Sequence, residues 1–348
     1  MRALVSVVRH FWPVLSLSLV LVLLAGAIGA FGDAALKVTA TEALIFVILV
    51  VGLYIFVGNS GIVSFGHISF MMLGAYATAW QTCCPGLKSV FLPGLPEFLL
   101  QTQVPNLPAA LLAGGLAATF ALVVGSAIMR LSGVAASIAM FALLAGLKSA
   151  FENWDSVTGG FTSVVGLPIY ADLSVALVSA LVVMWAAYLY QVSRFGLALR
   201  ASREDEVAAR AGGVNVYAQR LLAFVLSAFV VGLSGVLYGH MLGTISVDVF
   251  WLHMTFVSLA MLVVGGMKSL AGAVLGAVSV SALIEILRQI ESGMTIGSVT
   301  ISTPAGVQQI ALAILLLLIV VFRPRGITGG RELPWPWPEF TGKGRADD

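Results

Sequence analysis

About ten runs of apolar residues, each close to the length of a membrane-crossing helix, follow one another along this chain. They lie near 11–31, 41–57, 62–80, 107–129, 131–150, 170–191, 218–240, 249–266, 270–288 and 305–322. A hydrocarbon core of about 30 Å takes about 20 helical residues, and it offers no water to unpaired backbone groups, so runs of this kind fold as helices. Composition agrees. The chain is 59% hydrophobic and 10% charged, with a mean hydropathy of +1.03, whereas soluble domains carry about 25% charged residues. The expected fold class is an all-α polytopic membrane protein of about ten transmembrane or partly re-entrant helices. The third run and several later ones hold enough Gly and Ser to be broken.

Lysine and arginine placement sets the orientation, because short loops rich in positive charge stay in the cytoplasm. With the N-terminus inside, Arg2, Arg9, Arg130, Arg194, Arg200, Arg203, Arg210, Arg220, Lys268, Arg323, Arg325, Arg331, Lys343 and Arg345 are inside. Only Lys37, Lys88, Lys148 and Arg288 are outside, and fourteen against four predicts an N-in, C-in chain. Topology therefore accounts for the basic residues, and the net charge of +2 gives no reason to expect a nucleic-acid partner. Ala25-Gly26-Ala27 resembles a signal-peptide cleavage site, but the first run is expected to be retained as a span. Cys83 and Cys84 are adjacent, which gives neither a disulfide framework nor a closed metal site.

One polar stretch interrupts the apolar pattern: RFGLALRASREDEVAARAGGVNVYAQR, from Arg194 to Arg220, holds five arginines and three consecutive acids. Ser202 as N-cap, acids in the first turn, Arg210 in the last turn and Gly212-Gly213 as the stop predict one short helix over 202–211. Proline at Val207 is expected to break it. Such a helix is marginal in water, so it is expected to pack on the membrane protein or on a partner, the alternative being a solvated connecting loop. A second polar segment, Gly58-Asn59-Ser60-Gly61-Ile62-Val63-Ser64-Phe65-Gly66-His67, stands where the third span should begin. Unwound backbone at such a place lines a pathway or lets helices pack closely, and the residues alone leave both open.

Some activities lack their residues. Gly265-Gly266-Met267-Lys268-Ser269 is the nearest fragment to a phosphate-binding loop, but it lacks the first glycine and the preceding strand, so ATP hydrolysis by this chain is not expected. Ionisable residues in the spans are few: Glu42, His67, and Glu285 with Arg288, spaced to pair across one helix turn. That set does not resemble the buried carboxylates of an ion-driven transporter. Gly232-Leu233-Ser234-Gly235, followed by His240 and His253, resembles the nucleophile setting of rhomboid-type intramembrane serine proteases. Small residues at this spacing equally suit close helix packing.

A family resemblance is carried by several segments in order. GIVSFGHISFMMLGAYATA, then RFGLALRASREDEVAARAGGVNVYAQRLLAFVLSAFVVGLSGVLYGHMLG, then MLVVGGMKSLAGAVLGAVSVSALIEIL and FRPRGITG resemble the permease subunits of branched-chain amino acid ABC importers, the LivM-like half in particular. Thr158-Gly159-Gly160 and Gly166-Leu167-Pro168 resemble the outer TGG and GLP elements of that family. The likeness spans about residues 45 to 330, and each glycine motif alone would be weak.

The resemblance implies a non-catalytic permease subunit in a bacterial inner membrane. Its implied partners are a LivH-like second permease subunit, two cytosolic ATPase subunits that carry the ATP and Mg, and an extracytoplasmic solute-binding protein. No cofactor is implied on this chain. The implied cargo is a branched-chain amino acid or a related small polar solute such as urea, a short amide or an aromatic acid. The domain expectation is a transmembrane permease domain over 1–330 with a cytoplasmic coupling loop at 192–217, then a cytoplasmic Pro/Trp-rich tail over 331–348. Expected ATPase-coupling residues are Arg203, Glu204, Asp205, Glu206 and Arg210, with Gly212 and Gly213 ending the helix. Candidate pathway residues are Asn59, Ser60, Ser64, Phe65 and His67, with Phe70 narrowing the passage. The rival expectations are an ATPase-independent secondary transporter or channel, and a hydrolase using Ser234.

Overall fold

The segment ALIFVILVVGLYIFVG has no polar face, and a helix that is apolar all round belongs inside a bundle. In the computed structural model, which describes residues 2–296, 299–301, 306–323 and 326–333, this segment is the heart of α2 (Ala34–Ser60), buried at every position from Leu44 to Ser60. Asp33 caps α2 by accepting from the Leu36 amide, and Gly61 ends it in a left-handed conformation (φ 75°). α1 (Arg2–Phe31) precedes it, and α3 (Ile68–Thr82) follows after a non-helical link.

The remaining helices follow in chain order. Short α4 (Pro85–Phe91) and α5 (Glu97–Gln101) lead into α6 (Asn106–Ile128), α7 (Gly133–Glu152) and short α8 (Asp155–Thr158). Then come α9 (Leu173–Val192), α10 (Arg194–Glu204), α11 (Glu206–Ala211) and α12 (Val216–Leu242). α13 (Leu252–Gly265), α14 (Leu270–Gly293) and α15 (Val307–Phe322) complete the set. Each of the ten apolar runs contains a helix, and among the described residues eight of these are long and apolar enough to cross a membrane. The other two are α3, of 15 residues, and α15, of 16. Fifteen helical residues rise only about 22 Å, so α3 depends on the link before it to cover the remaining depth.

α12 packs against α2, α3 and α6, while α2 also meets α9 and α14. Glycines bring these backbones together. A Cβ on Gly235 of α12 would fall inside the carbonyl of Met71 on α3, and one on Gly74 of α3 would fall inside the carbonyl of Gly232. Gly232 also faces Ala117 and Gly114 of α6. Ser227 of α12 donates to the Gly52 carbonyl of α2 at 2.6 Å. The Gly232-Leu233-Ser234-Gly235 motif is thus a packing seam. Ser234 is fully buried and donates to the Val231 carbonyl at 2.7 Å, while His240 meets Thr78 and the Pro168 carbonyl at 3.0 and 2.8 Å. Ser234 and His240 thus bond separate partners, in keeping with close packing rather than with a serine nucleophile and this histidine as base.

These contacts sort the polar segments to two ends. One, here the arginine end, gathers the end of α2, the link from α6 to α7, α10, α11, the start of α12 and the turn from α13 to α14. The opposite end is tied by β1 (Val164–Val165), antiparallel to β2 (Thr244–Ile245) with Val164 opposite Ile245. A further hairpin, β3 (Met294–Ile296) with β4 (Val299–Ile301), follows α14. Lys88 is buried at this end and donates to the carbonyls of Gln81, Leu99 and Thr102 at 3.3, 2.9 and 2.7 Å, pinning the segment around α4 and α5. Glu285 and Arg288 pair at 2.5 Å, as their spacing predicts. The Pro/Trp-rich tail from 334 onward, Arg325, Lys343 and Arg345 lie outside the described residues.

Gly235→Leu is expected to destabilise the α12–α3 seam by about 1–3 kcal/mol through overpacking. Gly146→Ala, where a Cβ meets nothing within 4 Å, should leave the unfolding temperature unchanged or slightly raised. Thermal unfolding of both variants in one detergent reads the difference.

Candidate functional site: the link at Gly61–His67 and the helix pair 194–211

The backbone from Gly61 to His67 is not helical, in agreement with its polar, glycine-rich sequence. Two of its backbone groups find partners inside the protein, of the kind a lipid environment calls for. Ser137 of α7 donates to the Val63 carbonyl at 2.6 Å, and the Ile62 amide donates to Ser60 Oγ at 3.2 Å. Gly66 is needed because a Cβ there would fall inside the Met140 carbonyl of α7.

The expected pathway residues come together here, four of them deep in the chain. Asn59, Ser60, Ser64 and His67 are buried, whereas Phe65 is partly exposed and stands edge-on to Phe256 with centroids 6.4 Å apart. Asn59 Nδ2 donates to the Ile55 carbonyl at 3.1 Å. His67 Nδ1 meets Ser64 Oγ at 2.5 Å, and its ring sits among Phe56, Phe70 and Phe224 at centroid distances of 5.4, 5.7 and 5.4 Å. Asn59 Oδ1 and His67 Nε2 have no hydrogen-bond partner among the described residues. A buried polar atom left in that state costs about 1–3 kcal/mol. The link therefore combines close packing with unmet polar groups.

The polar stretch forms two helices where one was expected over 202–211. Ser202 lies inside α10 and donates to the Leu199 carbonyl at 2.7 Å, so it is not an N-cap. Asp205 holds that role. Its backbone is extended (φ −151°, ψ 107°), and its carboxylate accepts from the amides of Val207 and Ala208, both at 2.9 Å. α10 runs on past Ser202 because Gly196, Leu199 and Ser202 form its buried face. Arg210 is in the last turn of α11 as expected, Gly212 caps it, and Gly213 takes the left-handed turn (φ 84°). Val207 is the second residue of α11, where proline is tolerated, so proline there removes one capping bond and leaves the helix.

Each charged residue of the pair has a place. Arg203 donates to the Gly58 carbonyl at 2.5 Å, and its stem lies against Gly61, so α10 touches the start of the non-helical link directly. Glu204, exposed, pairs with Arg203 at 2.8 Å and with Lys268 at 3.6 Å. The hydrogen bond and charge of Arg203 hold its carboxyl below the usual range. Glu206 bridges Arg210 at 2.5 Å and Arg220 of α12 at 2.6 Å. Burial pushes the Glu206 pKa up, but the bonds from Arg220 and Arg210 outweigh it and hold the group below its ordinary 4.5.

Three contributors went unnoticed in the sequence. In the sequence Arg220 reads only as loop charge, yet it is buried and anchors α11. Arg200 donates to the Gln191 carbonyl at 2.7 Å, fixing α10 to the end of α9. Glu332 accepts from the Leu270 and Ala271 amides at 2.8 and 3.1 Å, capping α14, and from Gln191 at 2.9 Å. Their partners lie 9 to 141 residues away, beyond any local signal.

Taken together, the apolar bundle and the polar helix pair define a multi-pass, inner-membrane helical protein of the permease kind. A family model described as branched-chain amino acid transport system / permease component matches residues 35–322, and the chain belongs to that family. The chain is similar to the high-affinity branched-chain amino acid transport system permease protein LivM of Salmonella typhimurium, at 28% identity over 310 residues, covering 83% of this chain and 68% of that one. The Escherichia coli protein of the same name is 27% identical over 313 residues, with the same coverage. No solved structure matches.

Glu206 has a depressed folded-state pKa, so its contribution to holding α11 is present above 4.5 and is lost as pH falls through the lower folded value. Amide exchange in α11, corrected for intrinsic rates, should stay level down to about 4.5 and then rise as pH falls toward the lower folded value. Glu206→Gln should raise exchange about fivefold near neutral pH, from about 1 kcal/mol of lost pairing. Equal exchange in the two proteins would show that the bridge does not hold α11.

Proposed function

We propose that this permease is the transmembrane subunit of an ATP-driven importer for branched-chain amino acids or a related small polar solute. It would work with a second, LivH-like permease, two cytosolic ATPases carrying ATP and Mg, and an extracytoplasmic solute-binding protein. The arginine end faces the cytoplasm in this reading, as the charge rule expects. Membership of the family supports the transport role. The observation that carries the coupling role is the pairing of an outward tip on α11 with an inward anchor on α10. Val207 of α11 is 79% exposed, while Arg203 of α10 bonds the backbone at Gly58.

The coupling residues then divide their work. Val207, Glu204 and Arg210 present the surface that an ATPase groove receives, and Asp205 with Gly212 and Gly213 set the shape of α11. Glu206, through Arg220, passes displacement to α12, and Arg203 passes it to the end of α2. The link at Gly61–His67 is the compliant part, since non-helical backbone shifts more readily than a continuous helix. Solute passes beside this link when the bundle rocks, and Phe65 is the candidate residue there that is not fully enclosed.

The test is reconstitution of the purified assembly in vesicles. ATPase subunits and a second permease should co-purify, and substrate-loaded binding protein should stimulate hydrolysis and uptake. Val207→Asp, on an exposed position, should assemble and unfold like the parent while uptake per ATP hydrolysed falls severalfold. Uptake without ATPase subunits would sink the proposal and favour a secondary transporter or channel.

A further inference from the structure

At the arginine end, a cleft of about 450 Å³ lies between the α6–α7 link and the helix pair, lined by Met129, Arg130, Ser132, Glu206, Arg210, Tyr217 and Arg220. Three arginines face one glutamate, and that carboxylate is already engaged by Arg210 and Arg220. Arg220 is 7% exposed, and its Nε has no hydrogen-bond partner among the described residues. Arg130 is exposed at the rim and enters no ion pair among the described residues. Ser132 is the N-cap of the 20-residue α7, yet its hydroxyl makes no capping bond. The first-turn amides of α7 thus lack a side-chain acceptor, and the positive end of the helix dipole adds to the guanidinium charge.

From this arrangement we infer that the cleft is a phosphate-binding site, and that its occupant is the headgroup of an anionic phospholipid. A phosphate oxygen suits both an unpaired guanidinium N–H and helix N-terminal amides. The lipid source is favoured by the rim. Leu131 and Val134 are 41% and 74% exposed beside Arg130 and Ser132, which gives acyl chains an apolar track next to the charge. Basic pockets between membrane helices hold anionic headgroups on this basis. A headgroup there joins α7, α11 and α12 through one ligand, so it tightens the seat of α11 without entering the solute pathway.

The experiment uses the full chain with its co-purifying subunits, in nanodiscs of phosphatidylcholine with and without phosphatidylglycerol, and needs neither ATP nor substrate. Its failure is therefore distinguishable from failure of the importer reading. Native mass spectrometry of the released complex should show phosphatidylglycerol retained over phosphatidylcholine. Arg130→Gln should weaken retention about fivefold, the effect of one basic residue at a membrane surface. Ser132→Asp keeps a good N-cap residue and preserves the fold, but it fills the α7 terminus with a carboxylate and should abolish selective retention. Equal retention of both lipids by the parent, or unchanged phosphatidylglycerol retention in both variants, would overturn the proposal. If millimolar-range inorganic phosphate slowed exchange in α11 while phosphatidylglycerol did not, the phosphate chemistry would stand and the lipid source would be overturned.

Discussion

In hydrocarbon, apolar side chains gain nothing by leaving lipid for protein, so helices associate through close van der Waals contact and hydrogen bonds between backbones that approach closely. The seam of α12 with α3 and α6 answers that constraint. Gly232 and Gly235 on one side, with Gly74 and Gly114 on the other, remove the side chains that would hold the helices apart. The rest follows from it. With α3 drawn against α12, the link before α3 is pressed on α7 at Gly66 and Met140, and His67 is turned into the ring of Phe56, Phe70 and Phe224.

The arginine end works by a different physics, that of charges at a boundary. α10 and α11 are too short to be stable alone, and the structure holds them by bonds to three separate parts of the bundle: Gly58 through Arg203, Gln191 through Arg200, and Arg220 through Glu206. Several of these pairs are partly exposed and individually weak, and the capped turn at Asp205 joins the two helices that carry them.

The ten apolar runs and the broken third span were legible because period and polarity are local properties, and the bundle repeats them helix by helix. The helix boundary in the polar stretch was not. Ser202 and Asp205 are both good N-caps, and what decided between them was burial of Leu199 and Ser202 against the bundle, a tertiary fact. The same limit hid Arg220, whose partner Glu206 is 14 residues earlier across a glycine turn. For the candidate pathway, sequence identified the polar glycine-rich link. It left open whether Asn59 and His67 were enclosed, and the aromatic ring from α2, α3 and α12 that encloses His67 comes from residues spread over nearly half the chain.

Glu332 closes the N-terminus of α14 from 62 residues downstream. During synthesis the first amides of α14 therefore enter the membrane with no carboxylate to receive them, and the same glutamate later reaches Gln191 at the end of α9. This side chain ties the start of α14 to the end of α9. The contact can form only once both helices stand in place, so one carboxylate holds together two parts of the bundle that are remote in sequence.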